Sequence, residues 1–527
     1  MNEIYENPDF ESGAEESIEE EDVTYGDIVW GQFKKNRVAY ISLWGVAGLF
    51  ILATFAPLLS SAEPFYWKDA SGTSYPWFTT LFDTNYFENS VDIFFNLLMV
   101  LGMPMLLAWW LWMRSLHKKI RDKRPRRRLI KAVFFAGVMF FLFFFTGMVK
   151  TYVGIGSDAP NLVLKALDFG FMSYLVYGVC AACLFLHATG RELLSRRVTL
   201  AILAGYLCGN ALHVSASPYR VSSKLYWANQ AEIAAAQADV DTTKAALSLL
   251  EGADAAQPEK KAQLQEALKT QEEALAGIDK IEAFFPLAPY SYRQQDFPSL
   301  DKPTKSHVFG ISKNGSDVAT RILYGTRISL TIGFIAVAIY VTIGIILGSL
   351  AGYFGGKVDI MIQRLIEIVM CIPSFFLILT VIAMVGSASI FLIMCAIGFV
   401  RWTGVARLVR GEFLRLRNQD FVTSAKALGY PTRRIIFQHV LPNALGPVLV
   451  AAAFGVAQAI LLESSLSFLG MGDASTASWG VTLREGHGAE GAWHLVLIPG
   501  AAIFLTVLLL NLAGEGVRDA MDPKLRK

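Results

Sequence analysis

Long apolar runs constrain this chain more than any other feature of its sequence. A helix rises about 1.5 Å per residue, so about 20 consecutive apolar residues are needed to cross the roughly 30 Å hydrocarbon core of a bilayer. The sequence meets this requirement repeatedly, first at 38–59 and finally at 493–513. Only 17% of its residues are charged, too few for a soluble chain with such runs. The sequence therefore predicts an all-α integral membrane protein.

About ten runs are predicted to span the membrane, including some that are shorter than the usual 20 or so residues. They cover residues 38–59, 92–113, 129–149, 169–187, 198–213, 328–354, 360–385, 387–401, 441–463 and 493–513. The acidic segment 1–28 precedes them and contains few large apolar residues. Such a composition cannot bury a core, so we expect a disordered tail.

The distribution of Lys and Arg orients these spans. A basic stretch precedes the first span, and further basic clusters lie at 114–131, 191–197 and 401–434. Because Lys and Arg are retained on the cytoplasmic side, these loops predict that both termini face the cytoplasm. The cluster at 114–131 lies between two spans, where attraction to anionic lipid headgroups explains it more simply than nucleic-acid binding. No nucleic-acid partner is predicted.

The long segment 216–283 carries two apolar stripes, and Gly252 and Pro258 break the chain between them. The stripes are formed by Tyr226, Ile233, Val240 and Leu247, and by Leu264, Leu268, Leu275 and Ile278. This pattern predicts an antiparallel helical hairpin, which the span count places in the periplasm. Because the stripes are rich in Ala and modest in size, a structural hairpin is favoured over an oligomeric coiled coil.

The most informative cytoplasmic segment, 418–443, reads DFVTSAKALGYPTRRIIFQHVLPN from Asp420 onwards. Four of its residues recur at helical spacing and predict a short helix with one apolar face. They are Phe421, Ser424, Ala425 and Leu428. Gly429 can adopt the positive φ that ends such a helix, and Pro431 is expected to begin a second. The result is an elbow suited to docking in a cleft, although an ordinary amphipathic loop helix fits the spacing equally well.

This segment resembles the "EAA…G" coupling loop of importer-type ABC permeases, which inserts into a groove of the ATP-hydrolysing subunit. The resemblance places Gly429 on the glycine of that loop. Thr423 stands where many members carry glutamate, which removes one polar contact to the ATPase. For His439 we expect a structural hydrogen bond rather than catalysis. The implied ATPase-coupling residues are Phe421, Thr423, Ser424, Ala425, Ala427, Leu428, Gly429, His439 and Pro442.

The resemblance is wider than this loop. Residues 29–64 and 284–527 resemble the C-type subunits of dipeptide and oligopeptide permeases, with matching motifs in the same order. The motifs include FKKNR from Phe33, GYFGGKVD from Gly352, ESSLSFLG from Glu463 and VRDAMDP from Val517. Within that family, NGSD at 314–317 and EFLRLRN at 412–418 are most similar to the Yej-type subunit, whose transporters take up peptides and microcin C.

The resemblance implies a type I ABC importer transmembrane domain with a six-span core. Residues from about 91 to 283 have no counterpart and are interpreted as an insertion of four extra spans followed by the hairpin; an even number of spans returns the chain to the periplasm, where the family pattern resumes. The predicted divisions are the disordered acidic cytoplasmic tail (1–28), the first core span (29–64), a periplasmic loop (65–90), the inserted four-span region (91–215), the periplasmic helical hairpin (216–283), a periplasmic segment leading into the core (284–325), and the core permease domain (326–527) with its coupling loop (418–443).

The sequence contains no Gly-x-x-x-x-Gly-Lys-Ser/Thr phosphate loop. We therefore expect a non-catalytic subunit without cofactor or metal, whose partners bind ATP and Mg²⁺. The resemblance implies a second homologous permease subunit, two ABC ATPase domains, a periplasmic peptide-binding protein and a peptide substrate, all at a bacterial inner membrane. Import of oligopeptides is the expected function. Two alternatives remain open: the same machinery carrying another cargo such as a nickel chelate, and a membrane scaffold or sensor.

Two carboxylates are candidates for a role in the transport pathway or in a packing hydrogen bond. Glu367 lies about two turns into a predicted span, and Glu463 lies at the outer end of another. Ionisable groups inside spans are expensive to bury and are functional candidates for that reason. Helix capping, interfacial placement or pairing with a nearby basic residue is the alternative for each.

Overall fold

The computed structural model describes residues 25–70, 72–83, 86–87, 89–119, 223–251, 258–385 and 389–522. Three predicted spans, 129–149, 169–187 and 198–213, lie outside these residues. Most of the predicted acidic tail also lies outside them. The last residues of that segment are described, and they are helical because the first helix already begins at Tyr25.

The described chain is mostly helical. Its helices are α1 (Tyr25–Lys35), α2 (Arg37–Thr54), α3 (Ala56–Leu59), α4 (Pro76–Thr80), α5 (Ser90–Leu97), α6 (Met103–Lys119), α7 (Ser223–Glu251), α8 (Pro258–Gly277), α9 (Val318–Phe354), α10 (Gly356–Met370), α11 (Ser374–Val385), α12 (Ile390–Leu416), α13 (Asp420–Ala427), α14 (Thr432–Arg434), α15 (Leu441–Phe468), α16 (Trp479–Gly486) and α17 (His494–Met521). Turns of π-helix at Leu98–Gly102 and Ile435–Val440 join α5 to α6 and α14 to α15.

Six helical segments of the described residues are long and apolar enough to cross a membrane. They are Arg37–Thr54, Ser90–Trp112, Val318–Phe354, Ile390–Leu416, Thr432–Phe468 and His494–Met521. Helices α10 and α11 form a seventh candidate, bent by 81°. The bend falls at Pro373, whose ring disfavours helical geometry in the preceding residue. Each predicted span within the described residues therefore corresponds to an observed apolar helix.

Helix α12 corrects one predicted boundary. The span predicted at 387–401 continues as helix to Leu416, so the first part of the predicted basic loop 401–434 is helical. The reason is that a buried apolar face continues through Val405, Val409 and Phe413. The basic side chains that suggested a loop occupy the other faces of the same helix.

Among the described helices, α9 is central and packs against α2, α12 and α15. Three glycines one turn apart, Gly344, Gly348 and Gly352, face α12. A Cβ added at Gly348 would lie 2.5 Å from the Ala406 carbonyl oxygen, and one at Gly352 would lie 2.5 Å from the Phe413 Cβ. Small residues in this pattern allow membrane helices to approach closely, which increases their van der Waals contact.

A three-stranded antiparallel sheet joins two distant parts of the chain. Its strands are β1 (Tyr66–Asp69), β2 (Gly72–Ser74) and β3 (Glu282–Phe284), in the order β2-β1-β3. Trp67 lies opposite Ser74 on one side and Ala283 on the other. The sheet therefore ties the segment after the first span to the segment that follows α8.

Helices α7 and α8 pack against each other, and the residues of both predicted stripes are buried or half-buried there. Two contacts show that the helices run antiparallel. Lys244 pairs with Glu272 at 2.8 Å, and the Asn229 side chain donates to the Asp279 carbonyl, so later residues of the first helix lie beside earlier residues of the second. Below, α7 and α8 are called the hairpin. Its location in the periplasm stays a prediction.

Candidate functional site

The predicted helix stop at Gly429 is present in the structure. Tyr430 N donates to the Ala425 carbonyl at 3.1 Å, and Gly429 N donates to the Lys426 carbonyl at 3.0 Å. Gly429 itself has a φ of +73°. These two bonds around a left-handed residue form the Schellman ending of a helix. A side chain at this φ costs about 1–2 kcal/mol, so glycine suits the position.

Helix α13 is seated on the molecule by one face and presents another. Val422 is fully buried, and Ala425 is 4% exposed. Phe421 and Leu428 are 40% and 72% exposed, although both are large and apolar. The single apolar face expected from the sequence is therefore divided. Ala425 packs inward beside Val422, a buried residue that sequence reasoning missed. The remaining predicted residues on this helix, Thr423, Ser424 and Ala427, lie on exposed faces.

The second limb of the elbow differs from the prediction in its length. The short helix expected after Pro431 is not separate, because residues Thr432–Phe468 form one continuous apolar helical segment. Ile435 and Val440 in its π-helical turn are buried, whereas Phe437 is exposed. Pro442 lies exposed where the π-helical turn passes into α15. Residues 420–442 are called the elbow below.

Aromatic and cationic contacts hold the two limbs together. The rings of Tyr430 and His439 are stacked, with centroids 5.9 Å apart and planes 16° apart. The Arg434 guanidinium covers the Tyr430 ring at 4.1 Å. We expected a structural hydrogen bond from His439, but its Nε2 has no partner among the described residues. The imidazole contributes by stacking instead, which makes the elbow a compact unit.

One contact joins this unit to a central helix, and two others tie together the helix ends beside it. Arg410 of α12 binds Asp359 of α10 through two hydrogen bonds of 2.6 and 2.7 Å, the strongest geometry for such a pair. Arg417 donates to the Gly352 carbonyl at 3.2 Å. Lys426 lies 5.8 Å from the centre of the Tyr353 ring. The elbow therefore contacts the C-terminal end of α9 through Lys426 and follows directly on α12, whose own end is tied to α9 and α10. A displacement of α13 would be transmitted to these helix ends.

The two pathway candidates have different environments. Glu463 is 1% exposed, and its carboxylate accepts hydrogen bonds from Ser467 at 2.7 Å and from Ser464 at 3.3 Å. This geometry favours a packing role within α15 over contact with cargo. Glu367 is exposed and pairs at 2.6 Å with Arg364, one turn earlier and close to the bend between α10 and α11. Pairing with a nearby basic residue, the alternative from the sequence, is therefore observed for Glu367.

Sequence reasoning missed a buried cation. Arg327 of α9 is fully buried and lies 3.1 Å from the Asp92 carboxylate of α5. Its guanidinium also donates to Asn96 at 2.9 Å and to the Ala53 carbonyl at 2.7 Å. An Asp within an apolar run was the available signal, because such a charge needs a partner. The pair anchors the first helix of the predicted insertion to the core.

Tyr292 completes this cluster from outside the apolar spans. Its hydroxyl donates to the second Asp92 oxygen at 3.0 Å. Burial, and secondly the charge of Asp92, raise the pKa of Tyr292 well above its usual range. The phenol therefore stays protonated and remains a donor at physiological pH. Asp92 thus bridges α9 and the segment that leads into it.

The apolar helices, the central bundle and the exposed elbow define a multi-span membrane protein. Comparisons with known proteins identify the family within this class. The family described as "Binding-protein-dependent transport system inner membrane component" matches residues 344–527. The N-terminal transmembrane domain of oligopeptide transport permease C matches residues 24–76. The chain belongs to this family of inner-membrane permease subunits and is a C-type member of the dipeptide and oligopeptide group.

Three relatives carry this assignment. The oligopeptide transport permease OppC of Haemophilus influenzae is 41% identical over 243 residues, which are 45% of this chain and 78% of the relative. The dipeptide transport permease DppC of Alkalihalophilus pseudofirmus is 40% identical over 47% of this chain and 82% of its own. The glutathione transport permease GsiD of Pectobacterium atrosepticum is 37% identical over 46% and 81%. Among solved structures, the inward-facing MetNI methionine ABC transporter aligns at 17% identity and a TM-score of 0.33, covering 38% of this chain and 96% of that one.

Proposed function

We propose that this chain carries oligopeptides or peptide-like compounds across the inner membrane as the permease subunit of an ATP-driven importer. The elbow is the observation that supports this most directly. It is a compact helical unit with exposed Phe421 and Leu428, and its Lys426 lies against Tyr353 at the end of α9. An exposed apolar surface of this kind suits a cleft in another protein. In this proposal the cleft belongs to an ATPase and the elbow lies in the cytoplasm.

The proposed mechanism is mechanical. Two ATPase domains bind ATP and Mg²⁺, close on each other and displace the elbows of this chain and of a second, homologous permease subunit. Because the elbow contacts the end of α9 and follows directly on α12, its displacement tilts the bundle and switches the central cavity between inward and outward opening. Peptide delivered by a periplasmic binding protein enters the outward-open cavity, and hydrolysis resets the complex.

Peptide cargo is supported by the relatives, which are named for oligopeptides, dipeptides and glutathione. Each of these cargoes is a short peptide with a free carboxylate. We further propose, from the motifs at 314–317 and 412–418, that the transporter is of the Yej type and accepts microcin C. Competition between microcin C and short peptides for uptake would test this finer assignment.

Gly429→Trp tests the coupling role. No atom lies within 4 Å of a Cβ at Gly429, so the indole would project from the elbow into the proposed ATPase cleft. We expect peptide uptake to fall roughly tenfold or more, equivalent to at least about 1.4 kcal/mol of lost coupling. Stimulation of the ATPase by the binding protein should be lost as well. Uptake by cells and ATPase activity of the purified complex are the measurements.

Gly488→Trp is the matched control. Gly488 is also left-handed, with φ of +78°, and its Cβ position is equally open, but it lies between α16 and α17, away from the elbow. This variant should transport normally. A second variant, Gly429→Ala, introduces the backbone strain without the bulk and should lose much less activity. Normal uptake by Gly429→Trp at wild-type membrane levels would contradict the coupling assignment.

A further inference from the structure

Arg401 lies deep within a membrane-spanning helix. Helix α12 begins at Ile390 and continues to Leu416, so Arg401 is eleven residues from its start. At about 1.5 Å per residue, this places the charge roughly 16 Å along the helix, near the middle of a hydrocarbon core about 30 Å thick. The sequence had placed Arg401 at the end of a span. The longer helix moves it inward.

The partner of Arg401 is neutral. Its guanidinium donates to the amide oxygen of Gln458 on α15, at 2.5 Å. Other arginines of the bundle pair with carboxylates: Arg327 with Asp92, Arg364 with Glu367, and Arg410 with Asp359. Within the described ranges, no carboxylate forms an ion pair with Arg401. Four of its five N–H donors are thus left for another acceptor.

The surroundings of this pair leave room for a ligand. Gln458 is exposed, and a Cβ added at Gly404, one turn from Arg401, would meet no atom within 4 Å. Leu461, one turn from Gln458 on the same face of α15, is an exposed apolar side chain beside the pair. Since its Oε1 accepts from Arg401, the Gln458 amide nitrogen is free to donate. The site therefore offers a cation and an amide donor beside an exposed apolar side chain.

A charge at this depth is costly unless it meets water or an opposite charge. Lipid chains supply neither, so the open side of Arg401 must face an aqueous path or an anion. We propose that Arg401, supported by Gln458, binds the terminal carboxylate of the peptide as it passes through the permease. This inference rests on the proposed peptide import. A guanidinium is well suited to it, because it binds carboxylates with two parallel hydrogen bonds.

The experiment compares one peptide in two forms, trialanine and trialanine C-terminal amide, in cells that depend on this transporter for peptide uptake. Maximal uptake rates at saturating peptide are used, because binding-protein affinity affects the half-saturating concentration. The variants are Arg401→Gln and Arg401→Lys. Arg407→Gln is the matched control, because Arg407 lies exposed on the same helix and the change in charge is identical. Co-purification of the second permease subunit is measured for each variant.

In the wild type we expect faster uptake of the free acid than of the amide. Arg401→Gln should lower the rate for the free acid roughly tenfold and leave the rate for the amide unchanged, because only the acid loses its counter-ion. Arg401→Lys should be intermediate, and Arg407→Gln should match the wild type.

Equal losses for both peptides, or no loss for either, would overturn the inference while leaving peptide import intact. Loss of the second permease subunit from Arg401→Gln would also overturn it, because Arg401 would then pair with an acid on that subunit. Failure of the wild type to take up either peptide would refute the proposed function and this inference together.

Discussion

Arg327 shows how a single residue can define an interface inside a membrane protein. Its guanidinium is fully buried and donates to side chains of α5 and to backbone carbonyls at the end of α2. Burying a charge costs several kcal/mol, and only a complete set of partners offsets that cost. The cluster of Arg327, Asp92, Asn96 and Tyr292 supplies such a set.

Asp92→Ala tests this cluster. The variant leaves the Arg327 cation buried without its carboxylate, which should destabilise the protein by about 3–5 kcal/mol. We expect a clear drop in the thermal unfolding midpoint of the detergent-solubilised protein. The double variant Asp92→Leu with Arg327→Leu removes both charges and should be more stable than Asp92→Ala alone.

Glu272→Ala removes a solvent-exposed ion pair and is the comparison for the buried pair. The Lys244–Glu272 pair on the hairpin is solvent-exposed, so its loss should leave the unfolding midpoint unchanged. If Asp92→Ala were as stable as Glu272→Ala, the buried pair would not anchor α5 to the core.

At the scale of elements, the hairpin is fixed at its base. The Asn229 side chain donates to the Asp279 carbonyl at 2.9 Å and accepts from Ile281 N at 3.1 Å. Trp67 of β1 packs with Ile281 in the same small cluster. These contacts connect the base to the sheet. Further along the hairpin, in the part of the chain that the structure describes, α7 and α8 pack mainly against each other.

Replacing residues 236–271 with a short Gly/Ser linker tests the role of the distal hairpin. The base contacts of Asn229 and Ile281 remain, so we expect the unfolding midpoint to stay within about 4 °C of wild type. If the hairpin helps to dock the binding protein, ATPase stimulation by that protein should fall while basal ATPase activity is kept. Unchanged stimulation would exclude this docking role.

At the scale of the whole molecule, the hairpin and the elbow lie at opposite ends of the bundle. Helix α9 has 37 residues, which makes it about 55 Å long. Its first turn is capped by Asp317 and lies near the segment that follows the hairpin, whereas its last turn contacts Arg417 and the elbow residue Lys426. One continuous helix therefore connects the end proposed to receive cargo to the end proposed to bind the ATPase.

Native mass spectrometry of the complex isolated in mild detergent tests this arrangement. We expect one copy of this chain, one homologous permease chain and two ATPase domains, because each elbow occupies one cleft. Peptide-sized ligand released from the same sample would identify the cargo class. The chain isolated without any ATPase from an actively transporting membrane would contradict the proposal.

Much of the site and fold could be predicted because the responsible signals are local. Gly429 ends α13 through its own φ preference, and apolar run length alone predicted the spans seen in the described residues. The prediction was wrong where a non-local face decided the outcome. Charged residues after Arg401 suggested a loop, but burial of Val405 and Val409 against α9 extended α12. The resemblance places Ala425 among the ATPase-coupling residues, and the packing of α13 buries it beside Val422.

The sequence by itself determined that this chain is a multi-span membrane protein with a helical hairpin pattern and an elbow that ends at glycine, since run length, periodicity and backbone preference are properties of neighbouring residues. Only the tertiary structure decided which charges are paired. Asp92 and Arg327 are separated by hundreds of residues, and Arg401 meets Gln458 across two helices. Such pairs follow from how the helices pack, because a buried charge selects its partner by proximity in space rather than along the chain.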